Sequence, residues 1–257
     1  MKKTLKINKF KAKAVQQNVL GFFSKTTDSS MIEASINSGM DFVILDMEHG
    51  AITTETLKHH LMAVKGSNMV PIVRVDAWDS VLIEKALDLG ALGIQVPSIN
   101  HVKHVRGVIN RAKFHPMGNR GVCRFVRAAD YANQDRFEYF EESNSNLIIL
   151  QLEGVEGVNS FEQIIEVEGI DIIFIGPYDL SQSVGYPGQL DHPEVLRIME
   201  NLIKKANDKN ILLGTFCDTK ESMIKWKNLG VKYLAYSVDI TLFVEKLKEL
   251  NKFRNEI

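Results

Sequence analysis

Short apolar runs recur along the whole chain, each followed by a segment with helical spacing, and this alternation fixes the fold class. Eight runs stand out, at residues 19–23, 42–46, 70–75, 92–96, 147–152, 172–175, 211–216 and 233–236. Runs such as Leu147 to Leu150 and Ile172 to Ile175 are apolar at every position rather than at alternate ones. That is the pattern of strands buried on both faces of a parallel sheet. Between runs, Thr53 to Lys65 places Leu57, Leu61 and Val64 on one helical face, and Ser80 to Leu89 groups Ile83, Ala86 and Leu87. Gly39, Gly90, Gly169 and Gly230 each stand just before the next run, a helix C-cap signal at the same point of successive units. Eight strand–helix units in 257 residues, with no compositional break, predict one domain over residues 1–257, a single (β/α)8 TIM barrel.

Charge and hydropathy exclude several classes of partner. The chain is 45% hydrophobic and 25% charged, with a net charge of −1, and carries no basic footprint for nucleic acid. No run approaches the roughly 20 apolar residues that cross a bilayer, so no membrane association is expected. The start, MKKTLKINKFKAK, is lysine-rich with no apolar stretch behind it, and reads as a frayed, solvated end leading into the first helix. With no signal peptide, the cytoplasm is the expected location. Cys123 and Cys217 form no spacing motif and are expected to be free thiols. Neither GxxxxGK[ST] nor GxGxxG occurs, which argues against nucleotide chemistry.

One stretch breaks the rhythm. Residues 114–146 read as an insertion of the kind that serves as a lid, an extra helix or a subunit contact. Its Arg120, Arg124 and Arg127 either face an anionic ligand or form a solvated or interface-pairing face.

A parallel barrel places its chemistry at the carboxyl ends of the strands. Glu153 follows one run and Asp179 another, with room for one helix between them over 155–167. A hard divalent cation is the simplest thing for two such acids to hold. The run 42–46 ends in Asp46, followed by Glu48 and His49, and Arg74 lies near the end of the next. An arginine there needs a charge partner. Each residue has an ordinary alternative: a helix-start acid for Glu153, an N-cap for Asp179, a carbonyl-bonded strand-end histidine for His49. Together at one rim they point to a site, with Asp46 positioned to orient the His49 imidazole. His59 and His60 are expected on a polar helix face. His101 and His104, spaced i, i+3 with no third ligand, are expected at the surface. No lysine is expected at a strand's carboxyl end, which disfavours a Schiff-base route.

The strings DFVILDMEHG (41–50), PIVRVD (71–76), GALGIQVPSI (90–99), GNRGV (118–122), QLEGVEGVNSFEQI (151–164) and IDIIFIGPYDLSQSVGYPGQLDHPEV (170–195) resemble the class II pyruvate aldolases of the HpcH/HpaI family. The resemblance runs in one order from about Gly21 to near Leu250. It implies a (β/α)8 barrel of the phosphoenolpyruvate/pyruvate type, its last helix exchanged between neighbours, in a homohexamer built as a trimer of dimers. It implies reversible cleavage of a 4-hydroxy-2-oxo acid to pyruvate and an aldehyde, with Mg2+, Mn2+ or Co2+ as cofactor. On that resemblance Glu153 and Asp179 are the metal ligands, Arg74 holds the oxo oxygen, and His49 with Asp46 handles the proton. Glu48 is implied as an anchor for water or for Arg74. Gln151 lies near the metal's waters, and the backbone amides around Gly176 to Asp179, the stretch that includes Pro177 and Tyr178, receive the pyruvate carboxylate.

The chemistry agrees independently. Retro-aldol cleavage leaves an enolate, which needs positive charge at its oxygen and a base for the 4-hydroxyl proton. Tyr178 and Phe216 depart from the smaller residues common in the family and put the acceptor aldehyde in question. Two alternatives remain open from the sequence. One is a citrate lyase β or malyl-CoA lyase type enzyme acting on a CoA thioester. The other is a barrel that binds an oxo acid without catalysis.

Overall fold

The computed structural model describes residues 3–254. Eight parallel strands close into a barrel in sequence order: β1 (Val19–Ser24), β2 (Phe42–Asp46), β3 (Val70–Arg74), β4 (Gly93–Val96), β5 (Leu147–Leu152), β6 (Ile172–Ile175), β7 (Leu213–Cys217) and β8 (Tyr233–Val238). The expected single (β/α)8 barrel is what forms. Strand ends differ from the apolar runs by a residue or two; β7, for example, leaves out Ile211 and Leu212 and takes in Cys217. The helices are α1 (Lys3–Gln16), α2 (Ser29–Ser35), α3 (Thr54–Ala63), α4 (Leu82–Asp88), α5 (Val102–Ala112), α6 (Arg136–Ser143), α7 (Val155–Asn159), α8 (Phe161–Ile165), α9 (Pro177–Ser183), α10 (Pro193–Asp208), α11 (Lys220–Asn228) and α12 (Asp239–Arg254). Residues 155–167 thus hold two short helices rather than one, broken at Ser160, whose ψ of 0° ends the first.

Alternate side chains of each strand face two different apolar layers, which is why the runs are continuous. One set, including Phe42, Ile44, Ile72, Ile149, Phe174 and Tyr233, fills the barrel. The other, including Val43, Val73, Ile94 and Leu150, packs beneath the helices with Leu57, Leu61, Ile83 and Val105. Gly39, Gly90, Gly169 and Gly230 all take left-handed φ values, as the C-cap pattern requires.

The lysine-rich start is not a frayed end. Residues 3–16 form α1, whose Ile7, Phe10 and Ala14 are buried and close the amino-terminal mouth of the barrel. Phe10 meets Phe42 edge-on, and Phe42 stacks on Tyr233. The lysines sit on the remaining arc of the helix, so its three apolar positions at i, i+3 and i+7 are easily overlooked. Met1 and Lys2 lie outside the described residues.

The insertion also packs at that mouth, away from the site. Phe114, Ala128, Ala129 and Tyr139 make a small core of their own. Arg127 donates to Leu89 O and Leu61 O, the carbonyls at the C-terminal ends of α4 and α3. Arg120 pairs with Asp88, and Arg124 donates to Ala132 O. None of the three arginines reaches the carboxyl rim; they bind helix ends, an acid and a loop.

Of α12 only Asp239 is buried. Ile240, Phe243, Leu247, Leu250 and Phe253 are each about half exposed, so the last helix does not cover its own barrel. Among the described residues no helix is long and apolar enough to cross a membrane.

Candidate active site

Parallel register creates the polar floor of the carboxyl end. Asp46 on β2 pairs with Arg74 on β3, and Arg74 with Gln95 on β4. One level of the barrel therefore holds an acid, a guanidinium and an amide side by side. Arg74 donates through Nε to Asp46 Oδ1 at 2.9 Å and through Nη2 to Oδ2 at 2.7 Å, a bidentate pair in which Asp46 is fully buried. Its Nη1 lies 2.9 Å from Glu48 Oε2, off the direction of a hydrogen bond. The Phe23 ring stacks 4.8 Å from the guanidinium carbon. Burial pushes the Asp46 carboxyl up, but hydrogen bonding and charge from Arg74, with help from the His49 amide and Lys25, hold it below the usual range. Glu48 goes the other way. Burial, joined by the charges of Glu153, Asp46 and Asp179, outweighs Arg74 and raises it to about 7.

A second chain of bonds orients Glu153. Ser98, held at a left-handed φ of 54°, donates its backbone N–H and its hydroxyl to Glu153 Oε1 at 2.8 and 3.0 Å. Gln151 donates to Oε2 and accepts from Gln95 Nε2 at 2.7 Å. Gly176 leaves room for this arrangement, because a Cβ there would stand 2.9 Å from Glu153 Oε2 and displace it. Gly176 then caps α9, Pro177 takes its first position, and Asp179 falls in the first turn. Asp179 is exposed and has no hydrogen bond or ion pair among the described residues.

A cavity of about 320 Å³ opens over this floor, lined among others by Lys25, His49, Arg74, Gln151, Pro177, Tyr178, Asp179 and Phe216. The residues singled out from the sequence thus gather at one rim, with two differences. Asp46 does not hold the His49 imidazole: its carboxylate accepts the His49 backbone N–H at 3.2 Å and is otherwise occupied by Arg74. The imidazole itself is 60% exposed, and Glu48, at 3.9 Å, is the carboxylate beside it. Lys25 is the residue the sequence reading missed. It stands immediately after β1, contrary to the expectation that no lysine ends a strand, and its Nζ lies 3.6 Å from Asp46 Oδ2. The signal was present: the apolar run ends at Phe23, two residues before the lysine.

The other histidines divide. His60 is buried, not on a polar face; its Nε2 bonds Thr26 O, and burial lowers its pKa. His104 stacks on Trp78, and His101 is exposed beside it. Tyr178 donates to Asp218 Oδ2 at 2.9 Å and meets the Phe216 ring edge-on, so both bulky residues stand together on one wall.

Residues 19–245 match the model of the HpcH/HpaI aldolase/citrate lyase family. The chain is 34% identical to the 2-keto-3-deoxy-L-rhamnonate aldolase of Salmonella gallinarum over 230 residues, 89% of this chain and 85% of that one. Among solved structures, an HpcH/HpaI aldolase/citrate lyase family protein from Burkholderia cenocepacia superposes with a TM-score of 0.91 at 26% identity, over 96% of this chain and 99% of that one. The citrate synthase SbnG gives 0.84 at 30% identity, over 98% and 97%. Barrel, rim and sequence therefore agree that the chain belongs to the HpcH/HpaI aldolase/citrate lyase family, as a carbon–carbon lyase of the aldolase kind.

Proposed function

We propose that this chain is a metal-dependent class II aldolase that reversibly cleaves a 4-hydroxy-2-oxo acid to pyruvate and an aldehyde. The observation that carries the reading is Arg74. Two carboxylates fix its guanidinium against the wall of the cavity that also holds His49, Gln151 and Asp179. A donor preorganised in this way stabilises charge that develops on a substrate oxo group without reorganising first.

The donor set fits a hard divalent cation. Glu153 and Asp179 offer only oxygen, Asp179 is free of other partners, and Glu153 is aimed by Ser98 and Gln151. Among the described residues no group of three His, Cys, Asp or Glu side chains is arranged to hold a metal by itself. Two carboxylates with water and substrate completing the shell suit Mg2+ or Mn2+, and the resemblance adds Co2+. When bound, the cation supplies positive charge to the oxyanion that forms on pyruvate. Arg74 donates to the same oxygen, the amides around Gly176 to Asp179 receive the carboxylate, and the exposed His49 imidazole exchanges the 4-hydroxyl proton with solvent. Asp46 acts through Arg74, and Gln151 through Glu153. Tyr178 and Phe216 bound the space for the aldehyde.

The apolar face of α12 supports the exchange of this helix with a neighbouring subunit, within a homohexamer built as a trimer of dimers. Free thiols at Cys123 and Cys217 suit a reducing compartment, in keeping with the cytoplasm.

Exchange of pyruvate methyl protons with deuterated water, followed by NMR, tests the donor half without knowledge of the aldehyde. Chelated protein is expected to be silent, and added Mg2+ or Mn2+ to restore exchange. Silence with every metal would remove pyruvate as donor and bring forward condensation of a CoA thioester.

A further inference from the structure

We infer that Lys25 selects the acceptor, and that the acceptor it selects carries a carboxylate of its own. The inference rests on pyruvate as the donor at this site and concerns the acceptor half of the reaction.

The Lys25 ammonium sits on the cavity wall with no hydrogen bond to any described residue. Its nearest acid is Asp46, whose Oδ2 accepts from Arg74 Nη2 at 2.7 Å and lies 3.6 Å from the ammonium, beyond hydrogen-bonding distance. Lys25 is therefore held electrostatically near a carboxylate that it does not reach with a hydrogen bond. Its three donors remain available. The surrounding wall is aromatic and aliphatic, made by Phe23, Phe174, Phe216 and Val238. A half-buried cation on such a wall gains from an anionic partner supplied by the ligand.

Its position is built rather than incidental. The buried Asp239 carboxylate accepts from the hydroxyl of Ser24 at 2.6 Å and from the backbone N–H groups of Lys25 and Thr26, both at 3.2 Å. That grip fixes the backbone from which the lysine reaches into the cavity. Lys25 and Arg74 flank the same Asp46 oxygen, so one short oxo acid can span them. Its oxo group lies at Arg74 and its far carboxylate at Lys25. An ammonium placed beside a carboxylate and facing an open cavity suits charge recognition rather than Schiff-base chemistry.

Glyoxylate and glycolaldehyde form a matched pair of probes, differing in a carboxylate against a hydroxymethyl group. With pyruvate, either undergoes the same addition. The pyruvate methyl loses a proton, its carbon bonds the aldehyde carbon, and the aldehyde oxygen takes up a proton. Glyoxylate then gives 4-hydroxy-2-oxoglutarate. With Mg2+ present, the intact protein is expected to favour glyoxylate in kcat/KM. Lys25→Met should lower the glyoxylate-to-glycolaldehyde ratio about tenfold, mainly through the KM for glyoxylate, and Lys25→Arg should restore part of it. An equal loss for both probes would overturn the inference, since Lys25 would then be acting on the Asp46–Arg74 pair. So would a mass increase on borohydride reduction with pyruvate that Lys25→Met abolishes.

Calorimetric binding of 2-oxoglutarate against 2-oxopentanoate reads the same preference without turnover. Lys25→Met should shrink the ratio of their affinities by a similar factor, and an unchanged ratio would overturn the inference. Failure of pyruvate proton exchange in the intact protein, by contrast, would fall on the aldolase reading and leave this binding test to decide Lys25.

Discussion

Arg74 is enclosed by charges that depend on it. From the sequence alone, its place at the rim predicts that Arg74→Ala loses cleavage while the fold melts normally. The structure changes the second half of that expectation, because Asp46 is fully buried and Glu48 largely so. Removing the guanidinium leaves buried carboxylates unpaired, a loss of about 3–5 kcal/mol. Denaturant unfolding of Arg74→Ala is expected to show that loss beside the absence of pyruvate proton exchange, and full stability would place solvent around Asp46. Glu48 provides a pH signature. Its folded pKa of about 7 lies above the ordinary glutamate value of 4.5, so the fold favours the protonated acid. Its contribution to stability is present below that ordinary value and is lost as pH rises through 7. In chelator, Glu48→Gln should therefore gain stability relative to the parent between pH 5 and pH 8. A constant difference across that range would show that Glu48 titrates normally.

At the scale of elements, the strands were legible because burial on both faces writes an unbroken apolar run, and the helix ends because glycine accepts a left-handed φ. The site was legible where an acid or arginine ends such a run, as with Asp46, Arg74, Glu153 and Asp179. Contacts between distant segments were not. Nothing local told that Arg74 would take Asp46 from His49, since that depends on the register of β2 against β3. Lys25 was hidden by a run that appeared to stop at Phe23, and His60 by its polar neighbour His59. The insertion was visible as an interruption, but its place at the amino-terminal mouth follows from Arg127 binding the ends of α3 and α4. Arg127→Ala should lower stability by about 1–3 kcal/mol through the two orphaned carbonyls, with pyruvate exchange intact. Loss of exchange in a protein that still melts cooperatively would tie the insertion to the site.

For the whole molecule, α12 leaves an apolar stripe that one chain does not cover. Replacing Phe243 and Leu247 together by Asp is expected to dissociate the proposed oligomer in sedimentation velocity, with the barrel's circular dichroism preserved. An unchanged sedimentation coefficient would assign the contact to another face.

Asp239 gives that stripe a second meaning. The first residue of the helix that reaches outward is also the clasp on Ser24, Lys25 and Thr26. A tug on the helix is thus delivered to the wall of the pocket through one carboxylate. On the proposed helix exchange and the proposed role of Lys25, subunit number and choice of acceptor are linked through this clasp, so dilution should erode discrimination between acceptors before it erodes pyruvate exchange. Comparing the two readouts across protein concentration separates a linked clasp from a passive one, in which they would decline together.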